Sequence, residues 1–597
     1  MSGPVVTAER LLSREDLDFL LFDWLDAIDL TSRDRFAEHS RETFDALLDL
    51  SAQLASDQFA SHNTLADEHE PVMGADGKLE LPPEVGIALK AFIESGLLAA
   101  PFDEAHGGGQ LPNLLTRACL VWFQAANAGT SSYVLLTLAN AALLAKHGSD
   151  DLLRTWLPSL LDGSAFGTMC ISEPDVGSSL ADITTQARRT EDGSYLVQGT
   201  KMWISGGDHD LSDNIVHLVL ARTGSPEDGS RGLSLILVPK ILSDGRRNAV
   251  TLIGLNHKMG NRATTNTVLA FGDDETPGSA PGAVGYLVGE EGRGLHVMFT
   301  MMNDARVGVG FLAAGLGYTG YLRSLEYASS RRQGRPTAAA DRRFAPVPLI
   351  EHADVRRMLL AQKSYVEGGL ALCLFAAKLV DDEATAPVPA QRFRATRLLE
   401  LLTPIAKSWP AQWCLEANSL AIQVHGGYGY ARDFGIEQLY RDNRLNAIHE
   451  GTHGIQALDL LGRKVLADDG QRLREVVALI TDTVQRAEQS ERLRDLAVPV
   501  QAAASRLLAV TDVLAAAPRE VALALASTYL EAMGHLVVAW LWLDQAVAVD
   551  QRQDRFSQGK RAAAAYFITW ELPRTAPQLD LLERLDTTVL DTSQDVL

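Results

Sequence analysis

The chain has 597 residues, of which 46% are hydrophobic and 22% charged; this places it among folded soluble proteins of about three to four domains and argues against a disordered or fibrous one. A formal charge of −22 at pH 7 disfavours nucleic acid as a partner, because phosphate binding needs a basic surface. The acidic beginning (Glu9, Glu15, Asp16, Asp18) and the short late apolar run Leu536 to Val549, interrupted by Asp544, predict a cytoplasmic protein with no signal peptide and no transmembrane segment.

Along the chain, Leu17, Leu20, Leu21, Trp24 and Leu25, then Phe44, Leu47, Leu48 and Leu54, recur at helical spacing and predict a helical extension over residues 1–60. Residues 61–164 read as an α domain: a helix opened by Pro82-Pro83, a glycine loop at Gly107 to Gly109, and apolar helices from Leu114 to Ala128 and from Tyr133 to Lys146. Over 165–287 the texture changes to short strands, among them Phe166 to Ile171, Tyr195 to Gly199, Lys201 to Ile204, Ile215 to Leu220 and Leu233 to Val238. Turn residues such as Asp192-Gly193 and Asp228-Gly229 separate several of them and no helices interleave, which predicts an antiparallel β domain.

Residues 288–465 are helical again, broken by an arginine-rich loop from Arg331 to Arg343 and a spacer from Asp381 to Pro389. Gly308-Val309-Gly310 imitates a dinucleotide fingerprint, but no strand precedes it, so close helix packing is the expected reason for the glycines. Residues 466–597 form a further helical domain with breaks expected at Pro499, Pro518 and Pro573. The fold class is therefore mostly α with a central antiparallel β domain. Cys119, Cys170, Cys373 and Cys414 lie far apart without C-x-x-C spacing, as reduced structural thiols do.

The chemistry concentrates in Ala447-Ile448-His449-Glu450-Gly451-Thr452-His453-Gly454-Ile455-Gln456. His449-Glu450-x-x-His453 has the spacing of a zinc-hydrolase helix. Gly451, Thr452 and Gly454 are poor helix formers, and Gln456 stands where a further zinc motif needs glycine, so a turn leading into a helix at Ile455 is expected and no metal site is assigned. The second reading needs the preceding segment Gln423-Val424-His425-Gly426-Gly427-Tyr428-Gly429-Tyr430. Together the two segments resemble the acyl-CoA dehydrogenase flavoprotein family, in its long subgroup that includes 3-methylmercaptopropionyl-CoA dehydrogenase-like and broad-chain-length enzymes. The order of helices, β block and helices over about 60–465 resembles that family as well.

The resemblance implies FAD as cofactor and Glu450 as the base that takes the proton from carbon 2 of an acyl thioester, its backbone N–H helping to hold the thioester carbonyl. Met169, Ile171 and Ser172, in the segment continuing to Glu173-Pro174-Asp175-Val176-Gly177-Ser178, would line the flavin. Gly177 and Ser178 would also lie beside the cofactor, Ser178 near the path of the substrate. Lys201-Met202-Trp203-Ile204-Ser205 resembles the second flavin segment, with Trp203 stacking, Ile204 in contact and the Ser205 hydroxyl near flavin N5.

Arg331-Arg332-Gln333-Gly334-Arg335 resembles the segment that binds a partner subunit's FAD, through Arg331 and Gln333, since guanidinium groups suit a pyrophosphate. Gln423, Gly426 and Gly427 match the stretch approaching the adenine side, and Thr452 and Gly454 are placed at the cofactor too. Asn303 and Arg306 match the segment reaching the substrate, with His449 and Gly451 beside it. Asn303 replaces the usual aspartate, and Ala305 stands where some relatives carry the base. His449 replaces a common tyrosine, and if protonated would lower the pKa of Glu450.

The implied function is α,β-dehydrogenation of an acyl-CoA, with electrons passing to an electron-transfer flavoprotein, in a homodimer. Three alternatives stand beside it: an acyl-CoA oxidase, a DNA-binding relative and a zinc hydrolase. The DNA-binding reading needs a basic C-terminal region, whereas acidic residues outnumber basic ones after residue 465.

Overall fold

A computed structural model of the protein describes residues 7–273, 282–335 and 345–597, without the Thr300 side chain. The end of the expected arginine-rich loop, from residue 336, lies outside the described residues, as does the stretch 274–281 of the expected β domain. The chain packs as two units that do not follow chain order: the first holds Met1–Ala8, Ala46–Leu111 and Ala126–Ala305, the second Glu9–Asp45, Pro112–Ala125 and Arg306–Leu597.

The first unit is built on eight strands: β1 (Ala165–Cys170), β2 (Gln186–Arg189), β3 (Tyr195–Ser205), β4 (Asn214–Arg222), β5 (Leu233–Pro239), β6 (Val250–Leu255), β7 (Asn266–Phe271) and β8 (Ala283–Val288). They pair in the order β8-β5-β4-β2-β3-β7-β6, and β8 pairs with β3 as well, so five strands close into a ring. Tyr195, Val197, Val219, Ile236, Leu269 and Phe271 fill its core at 2% exposure or less, each worth about 1.5–3 kcal/mol of burial.

Two differences from the sequence reading bear on the site. The stretches Tyr195 to Gly199 and Lys201 to Ile204 are one strand, because pairing to β7 runs on through Gly199, Thr200 and Lys201. β1 is parallel to β4, from Ala165 opposite Asn214 to Cys170 opposite Val219; the loops and the β2–β3 hairpin between them provide the crossover a parallel pair requires. The helix Ala128–His147 is started by Asn127, whose side chain accepts from the Thr130 N–H, and packs on β1. From it Asn140 Nδ2 donates to the carbonyls of Thr168 (3.1 Å) and Val216 (2.9 Å). Gly167 is needed beneath it, since a Cβ there would lie 2.4 Å from Asn140 Cβ.

The second unit is helical. Ala353–Thr385 runs along Pro389–His425, and Ala526–Ala548 packs on both. The C-terminal helices are thus part of one packed unit with residues 306–465: Tyr529, Met533 and Val537 are at most 0% exposed, and Trp542 Nε1 donates to the Ser364 carbonyl at 3.0 Å. Nor does the N-terminal segment stand apart as an extension. Asp16, 1% exposed, accepts from Lys560 Nζ at 2.7 Å and Tyr318 OH at 3.1 Å, because its amphipathic stretch needs a surface to cover its apolar face.

Gly308 and Gly310 lie in the helix Gly294–Ser330, where a Cβ on Gly310 would meet the Ala406 carbonyl at 2.1 Å; the glycines serve close helix packing. The expected spacer begins later than Asp381, since the helix continues to Thr385. Asp381 is held in it because its carboxylate caps another helix, accepting the N–H groups of Asn113 (2.7 Å) and Leu114 (2.9 Å). Pro499 lies inside Arg494–Ala516 instead of ending a helix, where buried Ala497 and Val500 flank it.

Among the described residues two helices, Ala128–His147 and Arg494–Ala516, are long and apolar enough to cross a membrane by length and composition. The first is mostly buried inside its unit, and the second packs on Gln471–Glu488 and Thr575–Glu583.

Candidate active site

In the first unit the two expected flavin segments are tied together. The Met202 N–H donates to the Ser172 carbonyl at 3.0 Å. Lys201 Nζ donates to the Ile171 carbonyl (2.9 Å) and to Glu173 Oε1 (3.0 Å); the side chains of this ion pair are 0% and 3% exposed. Glu173 also accepts from the N–H and hydroxyl of Thr184 (2.8 and 2.6 Å) and from the Thr185 N–H (2.9 Å). Burial works to raise its pKa, but the Lys201 charge and the threonine donors hold it at about 2.

Beside this anchor β3 carries a bulge: Lys201 pairs with Leu269 but Ile204 with Thr267, one residue more than the partner strand. The extra residue lets Trp203 adopt a φ of 65°, left-handed backbone that costs a bulky side chain about 1–2 kcal/mol. Its side chain is turned out of the core at 56% exposure, while Ile204 behind it is 2% exposed. Ser205 Oγ accepts from Asn266 Nδ2 at 3.3 Å. Met169 and Ile171 are half-buried, and Gly177 and Ser178 stand exposed further along the loop. Asn303 is exposed on the helix Gly294–Ser330.

The second unit holds the remaining candidates. Pro389–His425 ends at Gly426, which has φ 61° and ψ −137°. A Cβ on Gly426 or Gly427 would have nothing within 4 Å, so their backbone is open to approach by another molecule, and Gln423 is exposed beside them. Arg331 brings its guanidinium to 5.6 Å from the Tyr428 ring, joining the arginine segment to the glycine segment. Gln333 is positioned through its backbone, which donates to the Val347 carbonyl (2.9 Å) and accepts from His352 Nε2 (2.8 Å).

The central motif is not a helix. Helix Ile436–Arg444 gives way to a turn at Leu445–Ala447, and Thr452 caps a new helix, His453–Leu458, its hydroxyl accepting from the Ile455 N–H at 3.4 Å. Between them Glu450 has φ 54° and Gly451 φ 90°. His449 and His453 therefore do not share a helical face, and the zinc-hydrolase geometry is not formed; the new helix starts two residues before Ile455. Both left-handed residues are held by side chains. Gln456 Nε2 donates to the Glu450 carbonyl (3.0 Å) and the Gly451 carbonyl (3.3 Å), and Lys407 Nζ donates to the Gly451 carbonyl at 2.7 Å. Lys407 and Gln456 are both 0% exposed. Gly454 is exposed at the start of the new helix.

Burial raises the pKa of Glu450 against the opposing charges of Lys407 and Arg306. A protonated His449 is not among those charges: burial, then Lys407, lower its pKa to about 3, and its Nε2 meets Asn446 Oδ1 at 3.1 Å. Arg306 is 3% exposed and pairs with Asp459 at 2.9 Å, so its guanidinium is engaged inside the unit.

Lys407, Gln456, Asp459 and the Glu173–Lys201 pair were not singled out from the sequence. For Lys407 a signal was present: it is a lone cation in the run Leu401 to Trp409, every residue of which is buried.

Four family profiles match consecutive stretches: the acyl-CoA dehydrogenase N-terminal domain over 55–164, the middle domain over 168–273, the C-terminal domain over 292–466, and an acetyl-CoA dehydrogenase C-terminal-like domain over 476–593. The chain is 37% identical over 445 residues to 3-methylmercaptopropionyl-CoA dehydrogenase of Ruegeria pomeroyi, covering 73% of each chain. It is 32% identical to the broad-specificity linear acyl-CoA dehydrogenase FadE5 of Mycobacterium tuberculosis, covering 96% of this chain and 98% of the relative. Among solved structures, Caenorhabditis elegans ACDH-11 in complex with C11-CoA superposes with a TM-score of 0.77 at 19% identity, over 99% of this chain and 96% of that one.

Proposed function

Since the chain belongs to the acyl-CoA dehydrogenase family, we propose that Glu450 is its catalytic base, removing the proton from carbon 2 of an acyl-CoA in FAD-dependent α,β-dehydrogenation to the enoyl-CoA. The observation that carries this reading is the state of Glu450: a carboxylate on a left-handed turn pinned by two buried side chains, with its pKa raised by burial. A base with an elevated pKa has more driving force toward a weakly acidic C–H.

The residues present fit FAD. Trp203 offers an outward-facing indole for stacking, the open backbone of Gly426 and Gly427 gives room for close approach, and exposed Arg331 supplies a permanent charge for a pyrophosphate. Met169, Ile171, Ser172, Gly177, Ser178, Ile204, Ser205, Gln333, Gln423, Thr452 and Gly454 complete the set on the family's pattern, with Asn303, His449 and Gly451 toward the substrate and Arg306, held by Asp459, behind Glu450. Bound FAD supplies the two-electron acceptor that no side chain provides. Glu450 accepts the proton, and the clamp on its carbonyl keeps the carboxylate in one place while the C–H bond breaks.

The reading extends to an electron-transfer flavoprotein as acceptor, a homodimer in which Arg331 serves the partner's cofactor, and a cytoplasmic location. Its test is anaerobic mixing of the purified yellow protein with acyl-CoAs of graded chain length, followed at the flavin absorbance. Bleaching by at least one acyl-CoA, abolished in Glu450→Gln, is the expected result; a protein that no acyl-CoA bleaches would refute the assignment.

A further inference from the structure

We propose that Lys407 is a positioning residue for Glu450, holding the left-handed Glu450-Gly451 turn in its reactive conformation from a buried place in the helix Pro389–His425. The proposal rests on Glu450 being the base and adds the device that keeps it there.

A glutamate at φ 54° followed by a glycine at φ 90° is a conformation a free loop leaves, since left-handed backbone is unfavourable for a side-chain-bearing residue and persists only where its surroundings impose it. Here the surroundings are two side chains. The Gly451 carbonyl accepts from Lys407 Nζ at 2.7 Å, and both carbonyls of the turn accept from Gln456 Nε2. Gln456 belongs to the helix that the turn leads into, so it travels with the loop. Lys407 does not, being anchored on a different helix among Thr403, Ile405, Ala406, Ser408 and Trp409, all buried. Its bond ties the turn to the body of the unit.

The choice of lysine is also chemical. A buried ammonium is expensive to desolvate, and a neutral donor such as glutamine would serve a carbonyl alone. The charge is explained by what it faces. Lys407 and Arg306 are the cations acting on Glu450, Arg306 itself paired with Asp459 at 2.9 Å. On the motif's own segment His449 and His453 stay neutral near pH 7 because burial lowers both, and Arg444 acts on His453. Lys407 therefore does two things at once: it fixes the turn, and its charge opposes the rise that burial imposes on the Glu450 pKa.

The test uses the FAD-loaded enzyme and a bleaching acyl-CoA. In Lys407→Met the rate constant for flavin reduction is expected to fall about tenfold to a hundredfold, as small misplacements of a base do. The acid limb of its pH profile moves to higher pH, while FAD content and acyl-CoA affinity hold. Lys407→Gln keeps a donor without the charge, so it recovers part of the rate at high pH but keeps the shifted limb. A merely structural lysine would lower thermal stability or FAD content and leave the limb in place, and that result overturns the proposal, as does a wild-type rate in Lys407→Met. If Lys407→Met does not fold, Lys407→Gln decides alone by the position of its limb. Glu450→Gln run alongside separates the failures: full flavin reduction there sinks the base assignment itself, whereas a dead Glu450→Gln beside an unaltered Lys407→Met sinks only the clamp.

Discussion

Lys407 reaches from the middle of a buried helix to bond the Gly451 carbonyl at 2.7 Å, which sets a cation beside the carboxylate of the preceding residue, Glu450, in a turn that no local preference of its sequence would hold. The pairing of an anchored donor with a left-handed turn recurs in the other unit. There Lys201, bonded to Ile171 and Glu173, precedes by two residues the bulge at Trp203. In both places a buried lysine stands close in sequence or space to a residue held in left-handed backbone, which is how a fold stores strain at a functional position.

Glu450→Gln is expected to lower the rate of flavin reduction by about 10²–10⁴ while FAD and acyl-CoA binding persist, because the amide keeps the shape of the carboxylate but cannot take the proton. Rapid-mixing absorbance with titration of both ligands measures this; a loss confined to acyl-CoA affinity would assign Glu450 to binding instead.

The pH dependence follows from the same residues. Burial raises Glu450 above the ordinary 4.5 of a glutamate, and the neighbouring histidines are neutral well below pH 7, because burial lowers the pKa of His449 to about 3 and that of His453 to about 4. The rate of flavin reduction should therefore climb with pH through an acid limb lying above 4.5, as the base ionises, and any further change near pH 8 belongs to Lys407, whose pKa burial lowers to about 8. A limb near the ordinary histidine range that disappears in His449→Phe would contradict this.

The Glu173–Lys201 pair is expected to matter for stability. Its carboxyl titrates at about 2 in the folded chain against 4.5 ordinarily, so the carboxylate's contribution is present above about 4.5 and lost as pH falls toward 2, while burial of Lys201, which lowers the lysine's pKa, offsets part of it. Lys201→Met leaves a buried charge uncompensated and should cost about 3–5 kcal/mol. Denaturant melts of the first unit's tryptophan signal at pH 7 and pH 3 test both statements, and an equal loss from Lys201→Met at the two pH values would count against the pair.

Trp203→Gly separates strain from cofactor binding. Glycine accepts φ 65° freely, and the indole it replaces is 56% exposed. The cofactor-free protein should therefore keep or slightly raise its melting temperature, by an amount corresponding to about 1 kcal/mol, while FAD dissociates more readily. If FAD retention is unchanged by this substitution, the stacking role assigned to Trp203 is wrong.

Much of this protein could be read from the order of its residues. Short strand-like runs parted by turn residues marked the β block from Ala165, helical spacing marked the blocks on either side, and the joint spacing of Gly426-Gly427 and Glu450-Gly451-Thr452 pointed to the family and to the base. These are local signals: periodicity, turn residues and motif spacing each depend on neighbours along the chain. What the tertiary structure decided has no such local trace. Trp203 and Glu450 adopt left-handed backbone that neither residue type prefers, because pairing to β7 inserts a bulge at one and side chains of Lys407 and Gln456 hold the carbonyls at the other. Asp16 and Lys560, 544 residues apart, meet because an amphipathic stretch must cover its apolar face somewhere, and the sequence states that need without naming the surface. The charge state of His449 belongs to the same class: a histidine is a switch near neutral pH in water, and only its burial beside Lys407 makes it a neutral one.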